Sequence, residues 1–289
     1  MKEFYSEIFK WIKHPDEINL DVRPPEKLII VSKILLLDCL LGLLFSVLAY
    51  LVDSYIIKLD MPLDDSHPVL IFFLVVLIAP IIEESIFRFP LKYQRNYLAR
   101  LISFLSKGWL KKRWGSFFKY FLYLSIILFG VIHLLNFSNS EILFFVFSPV
   151  IIGSQLTGGI LLSYTRIKLG FVWSIFQHSV FNLILLVLVI FFSHNHIIAQ
   201  ESNKDVSIKI VEQAYVYKHN SYYESESSRD TIFSIKANDI SLSTFIDSLN
   251  IKNIKHFEDK WIDVQINCEK GIRKMDLKNL LKKLIQPDH

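Results

Sequence analysis

The 289-residue sequence predicts an all-α polytopic membrane bundle of about five transmembrane helices followed by a small α+β soluble domain. Three observations carry this. Hydrophobic residues make up 52% of the chain, with 24 Phe, and mean hydropathy is +0.37, too apolar for an ordinary soluble protein. Before residue 193 the apolar residues fall in runs long enough to cross roughly 30 Å of hydrocarbon. From His194 onward charges are scattered and short alternating segments replace the long runs. The expected divisions are an amphipathic, cytoplasmic N-terminal segment at 1–27, a membrane core at 28–193 and an extracytoplasmic α+β domain at 194–289.

Residues 1–13 interleave Phe4, Tyr5, Ile8, Phe9, Trp11 and Ile12 with lysines, the pattern of a short helix lying on a membrane surface. Residues 1–26 carry both signs of charge and do not read as a cleavable signal peptide, so the membrane helices themselves are expected to direct insertion. Pro24-Pro25 then punctuates, and 28–57 is the first span, with Lys33 and Asp38 near its inner end.

The loop at 58–67 sets Lys58 against Asp60, Asp64 and Asp65, whereas 89–119 carries eight basic residues and no acid. The positive-inside rule places that second loop in the cytoplasm. Apolar residues at helical spacing in 97–110 predict an interfacial helix within it. The second span therefore runs inward from Pro68, with Pro80 expected to kink it. The third runs outward over 117–137 and the fourth returns over 142–164 to Arg166 and Lys168. On the fourth, Gly153, Ser154, Gly158 and Gly159 allow close helix approach. The fifth, 171–192, leaves the amino terminus inside and the carboxy terminus outside. Beyond it, strands are expected at 206–217, 231–237 and 261–267 and helices at 241–249 and 275–285, in the order β-β-α-β-α. His219 and His256 are isolated and read as ordinary surface or core residues. Cys39 and Cys268 form neither a disulfide framework nor a metal motif.

The second span holds the least expected residues. No charge occurs from 68 to 80, and then Ile81-Ile82-Glu83-Glu84-Ser85-Ile86-Phe87-Arg88 brings two carboxylates and a guanidinium onto the helix. A charge at a spanning helix centre costs roughly 2.5–3.5 kcal/mol, so such residues mark function by default. Glu84 and Arg88 are one turn apart and can pair. Glu83 points about 100° away from that pair, free for chemistry. On the third span His133 follows Phe129 by one turn, and on the fifth His178 and Asn182 share a face. Each alone has a plain structural explanation, a histidine bonding a neighbouring helix for example. Polar residues on three helices together predict one wet pocket.

Glu83-Glu84-xxx-Arg88, Phe129-xxx-His133 and His178-xxx-Asn182, in that order, resemble the three signature motifs of the CPBP intramembrane protease family, which includes CAAX prenyl endopeptidases and bacteriocin-immunity-like proteins. Gln155-Leu156-Thr157-Gly158-Gly159-Ile160 with Tyr164 is similar to the same core, and the resemblance covers about 68–190. It implies an intramembrane endopeptidase in which Glu83 and His133 activate water, His178 and Asn182 stabilise the oxyanion, and Glu84, Arg88 and Phe129 hold the site. Phe89-Pro90 departs from the glycine common after the arginine, which bears on the local helix end. No cofactor is expected. The alternative is a catalytic zinc on Glu83, His133 and His178, although no H-E-x-x-H is present.

A different reading is a non-proteolytic membrane scaffold or immunity-type protein acting through its C-terminal domain. A transporter fits less well, since no inverted repeat is visible. Expected partners are membrane lipids, a protein or peptide substrate and an extracytoplasmic protein partner of 194–289. No nucleic acid is expected, because no basic, aromatic-interleaved patch occurs. The expected location is a bacterial inner membrane. One conflict follows from counting residues. Glu83 comes about 20 Å down its helix and His133 about 18 Å up from the other side, a mismatch of roughly 8 Å in a core of about 30 Å.

Overall fold

A computed structural model describes residues 2–62, 66–215, 221–251 and 259–285. The chain divides into two compact units, 1–61 with 73–184, and 62–72 with 185–289. Among the described residues, five helical stretches are long and apolar enough to cross a membrane: Pro24–Tyr55, Pro68–Leu91, Trp109–Asn136, Ile142–Lys168 and Phe171–Ser193.

In the first unit, α1 (Lys2–Lys13) does not lie on lipid by its whole apolar stripe. Ile8 and Trp11 are buried. Trp11 meets the Tyr164 ring edge-on at 5.3 Å, and the Tyr123 hydroxyl donates to the Ile12 carbonyl. The stripe is covered by the bundle because aromatic partners on two spans complement it, leaving Phe9 outside. The first span is α2 (Pro24–Tyr55). Pro24 and Pro25 start it where no N–H is needed, and Glu26 accepts from the Arg23 backbone N–H.

The second span is not one regular helix. It comprises α3 (Pro68–Phe72), a π-helical segment Phe73–Ile78, α4 (Ala79–Phe87) and a 3-10 turn Phe89–Leu91. The expected disturbance at Pro80 is taken up as a widened turn ahead of it, because proline offers no N–H and crowds the preceding turn. Between the second and third spans lies α5 (Tyr97–Leu105), capped by Asn96, and the third span is α6 (Trp109–Ile132) ending in a 3-10 turn His133–Asn136. The fourth span is broken at Ile152 into α7 (Ile142–Ile151), which contains Pro149, and α8 (Gly153–Lys168). The fifth is α9 (Phe171–Ser193). The core between α2, α6 and α8 is apolar, built from Ile34, Phe118, Leu122, Ile126, Leu161 and Ile167.

The second unit contains an antiparallel sheet of β1 (His196–Ser202), β2 (Val206–Gln213), β3 (Tyr222–Ser228), β4 (Thr231–Ser241) and β5 (Trp261–Arg273) in the order β1-β2-β5-β4-β3. Helices α10 (Leu242–Ser248) and α11 (Lys274–Ile285) contribute Phe245, Leu277 and Leu281 to a core with Ile208, Ile210, Ile235 and Ile266. The order is β-β-β-β-α-β-α, not β-β-α-β-α. Both strands absent from the expectation are edges. β3 is Tyr-Tyr-Glu-Ser-Glu-Ser-Ser and exposed throughout, so it has no buried face to produce an alternating pattern. His219 and His256 lie outside the described residues.

Candidate active site

α4 carries the acidic pair into the bundle. The Glu84 side chain is fully buried, while that of Glu83 keeps 26% of its surface exposed. Arg88, one turn on, approaches Glu84 with Nε 3.6 Å from Oε1, and its guanidinium lies 3.6 Å from the centroid of the Phe129 ring. A buried cation therefore has a carboxylate on one side and a π face on the other. Space for it comes from α8: a Cβ on Gly159 would lie 3.2 Å from Arg88 Nη2 and 3.3 Å from Phe129. The helix ends at the Phe89-Pro90 departure, and Arg166 closes that end by donating to the carbonyls of Arg88 and Phe89, at 3.1 and 3.3 Å.

His178, on α9, stands between the two carboxylates. Its Nδ1 is 3.2 Å from Glu84 Oε1 and its Nε2 is 3.7 Å from Glu83 Oε2. With Nδ1–H donated to Glu84, a proton on either Nε2 or Glu83 makes the second contact attractive as well. The second and fifth spans thus meet through this imidazole. The third joins them through Phe129, whose ring is 6.0 Å from His178.

His133 is half-buried at the start of the 3-10 turn, with Nδ1 2.7 Å from the Phe129 carbonyl and its ring 4.8 Å from the Phe129 ring. Among the described residues it makes no ion pair with Glu83, whose charged neighbour is His178. The level of the two helices is fixed lower down, where Ser125 donates to the Phe87 carbonyl at 2.6 Å and the Phe87 and Phe129 rings meet at 5.4 Å. Glu83 lies one turn before Phe87 and His133 one turn after Phe129. On successive spans of opposite direction, both displacements are about 6 Å the same way. Side-chain contacts, not the hydrocarbon edge assumed in the count, set the register of these two helices.

Asn182, one turn after His178, donates its amide to the Val75 carbonyl at 2.9 Å. Val75 belongs to the π-helical segment, and its i+5 partner would be Pro80, which has no N–H. The side chain of α9 supplies the missing donor.

A second buried network had no motif to announce it. Asp38 on α2 is 2% exposed and accepts from Gln177 Nε2 at 3.2 Å, while Thr165 on α8 donates to Gln177 Oε1 at 2.5 Å. Gln177 immediately precedes His178, so three spans fix that stretch of α9. Gly158 faces this carboxylate, its would-be Cβ 3.3 Å from Asp38 Oδ1. The signal in the sequence is an acid within the apolar first span, expected with Lys33 near its inner end.

Glu83 Oε2 and Glu84 Oε2 are buried without a hydrogen-bond donor from the protein. A carboxylate so placed beside an imidazole can accept a proton. No group of three His, Cys, Asp or Glu positioned to hold a metal ion occurs among the described residues. No curated protein and no solved structure matches the chain. The stretch that carries the motifs, residues 65–184, matches the model of the Rce1-like family, type II CAAX prenyl endopeptidases, in agreement with the resemblance in the residues themselves.

Proposed function

We propose that the membrane region is an intramembrane endopeptidase of the glutamate type. Glu83 takes a proton from water, with His133 one turn beyond the shared Phe129 level completing the pair that activates it. The water oxygen attacks a peptide carbonyl, and the resulting oxyanion is met by His178 and by the amide N–H that Asn182 does not give to Val75. The proton then passes to the leaving amine. Glu84 and Arg88 hold the imidazole and the helix end. The observation that supports this most strongly is His178 placed between Glu83 and Glu84, at 3.7 and 3.2 Å.

The substrate class is a protein or peptide segment that enters the bilayer, and the reaction needs no metal. The location proposed is a bacterial inner membrane with the loop 89–119 and the amino terminus in the cytoplasm, a reading supported by the eight basic residues of that loop and by five candidate spans among the described residues. Comparing new N-termini in membrane proteomes of cells carrying the native chain, Glu83→Gln or His133→Ala tests the chemistry. Cleavage products vanish in both variants while the folded protein stays in the membrane; products persisting in either variant overturn the mechanism. Metal analysis of active protein, with activity in chelator, tests the metal-free assignment.

A second reading, a non-proteolytic scaffold or immunity-type protein, is favoured by one feature: the C-terminal unit has its own apolar core and a polar open sheet face that includes Lys209, Asp263, Gln265 and Lys236. A phenotype that survives Glu83→Ala but disappears on deleting 200–289 selects it.

A further inference from the structure

The turn between α5 and α6 forms a shallow, open cationic cavity at an apolar surface. A concavity of about 510 Å³ is lined by Arg100, Lys107 and Lys111 together with Ser103, Phe104 and Tyr93. Among the described residues none of these three cations has a carboxylate within ion-pair reach, and the whole segment 89–119 contains no acid that could neutralise them. Their convergence is enforced by the backbone. Ser103 Oγ accepts from the Lys111 N–H at 3.1 Å, tying the first turn of α6 to the last turn of α5, and Gly108 N–H donates to the Ser103 carbonyl at 2.7 Å.

Lys107 adopts φ 52 and Gly108 φ 83, so a lysine occupies a left-handed position that a glycine would hold without strain. The strain is retained together with a cation directed to this turn. Beside the cavity, Phe104, Leu105 and Leu101 are 81, 72 and 56% exposed on the outer face of α5. Cations and apolar rings side by side match a molecule with an anionic head and hydrocarbon tails.

We propose that this cavity is a binding site for an anionic glycerophospholipid, its phosphate held by Arg100, Lys107 and Lys111 and its acyl chains lying along Phe104 and Leu101. Arginine and lysine supply charge-assisted donors to phosphate oxygens. Each basic residue near an anionic membrane contributes about a fivefold gain in affinity, so three account for on the order of a hundredfold. The site does not depend on the proteolytic reading.

The test uses full-length protein in neutral detergent, titrated with phosphatidylglycerol, phosphatidylcholine or inorganic phosphate, with bound molecules counted by native mass spectrometry. The native chain retains phosphatidylglycerol at least tenfold better than phosphatidylcholine, and added salt weakens the preference. The triple variant Arg100→Gln, Lys107→Gln, Lys111→Gln loses the preference, while Lys112→Gln with Arg113→Gln, outside the cavity, keeps it. Phe104→Ser weakens the lipid. Equal retention of the two lipids by the native chain, an unchanged preference in the triple variant, or its loss in the Lys112/Arg113 control overturns the proposal. Inorganic phosphate binding as tightly as phosphatidylglycerol also overturns it, making the site one for a free anion. The substituted side chains are all exposed, and a melting temperature within a few degrees of the native chain verifies that the triple variant is folded.

Discussion

Asn182 donates its side-chain amide to the backbone carbonyl of Val75 at 2.9 Å, on a turn where Pro80 cannot donate. The bond ties the fifth span to the segment that delivers Glu83, so the residue has structural work whatever its part in chemistry. Asn182→Leu leaves the carbonyl unpaired and lowers stability by about 1–3 kcal/mol. Asn182→Asp does at least as much harm, since an ionised carboxylate has no donor for a carbonyl. Thermal unfolding in detergent measures both. An Asp variant as stable as the native chain would remove this role.

Gly159 faces Arg88 and Phe129 at distances that a Cβ would tighten to 3.2 and 3.3 Å. Arg88 is fully buried and stacked, so it has little freedom to yield. Gly159→Ala therefore destabilises by about 1–3 kcal/mol through overpacking. Gly115, on the same bundle's α6, has nothing within 4 Å of its would-be Cβ. Gly115→Ala is neutral or stabilising by up to about 1 kcal/mol from helix propensity. Unfolding midpoints of the two variants should move in opposite directions, or the second not at all.

The parts of this site legible in the sequence were those where charge stood out against hydrocarbon. Glu83, Glu84 and Arg88 interrupt an apolar run, and one-turn spacing alone paired Glu84 with Arg88. What spacing could not give was partnership between helices. Nothing in the order of residues assigns His178 to both carboxylates, or Asn182 to a carbonyl on another span whose donor would have been a proline five positions further on. Asp38 was visible only as an oddity, because its partners Gln177 and Thr165 are neutral residues that carry no motif. The C-terminal fold was legible where strands have one buried face, as in β2, β4 and β5. The edge strand β3 escaped because all of its residues are exposed, and β1 because Ala199 is its one fully buried residue, which leaves little alternation to read.

Arg88 balances Glu84 inside an apolar bundle and stacks on Phe129, so removing it strands a charge. Arg88→Met costs about 3–5 kcal/mol. The double variant Arg88→Met with Glu84→Gln costs clearly less than the sum of the single changes, because neither charge is then left alone. A double-mutant cycle on unfolding midpoints supplies the coupling. Additive losses would show that the 3.6 Å approach carries no energetic linkage.

Asp38 accepts from Gln177, and Gln177 in turn accepts from Thr165. Asp38→Asn keeps an acceptor for the glutamine amide, whereas Asp38→Leu leaves a buried donor without one, at about 1–3 kcal/mol. Thr165→Val should resemble the leucine variant by breaking the same chain from its other end. Equal stability of the Asn and Leu variants would mean that the carboxylate does not hold α9.

Cys268 reports on the C-terminal unit. It lies in β5, 1% exposed, paired across the sheet with Val206 and within the apolar core. Burial disfavours the thiolate and pushes this thiol above its ordinary value of 9.0. The thiolate is the reactive form, so alkylation in the folded chain is slow and accelerates only under conditions that open the sheet. The sign for stability follows from the same shift. Below the ordinary value the thiol is protonated in both states and contributes no pH dependence. As pH rises past 9.0 the unfolded chain ionises first, and the stability of this unit falls until the folded thiol ionises too. Iodoacetamide labelling against urea at two pH values, with Cys39→Ser to isolate the signal, measures both effects. Rapid labelling of the folded unit at pH 8 would place Cys268 outside the core and remove the basis for the sheet's closed face.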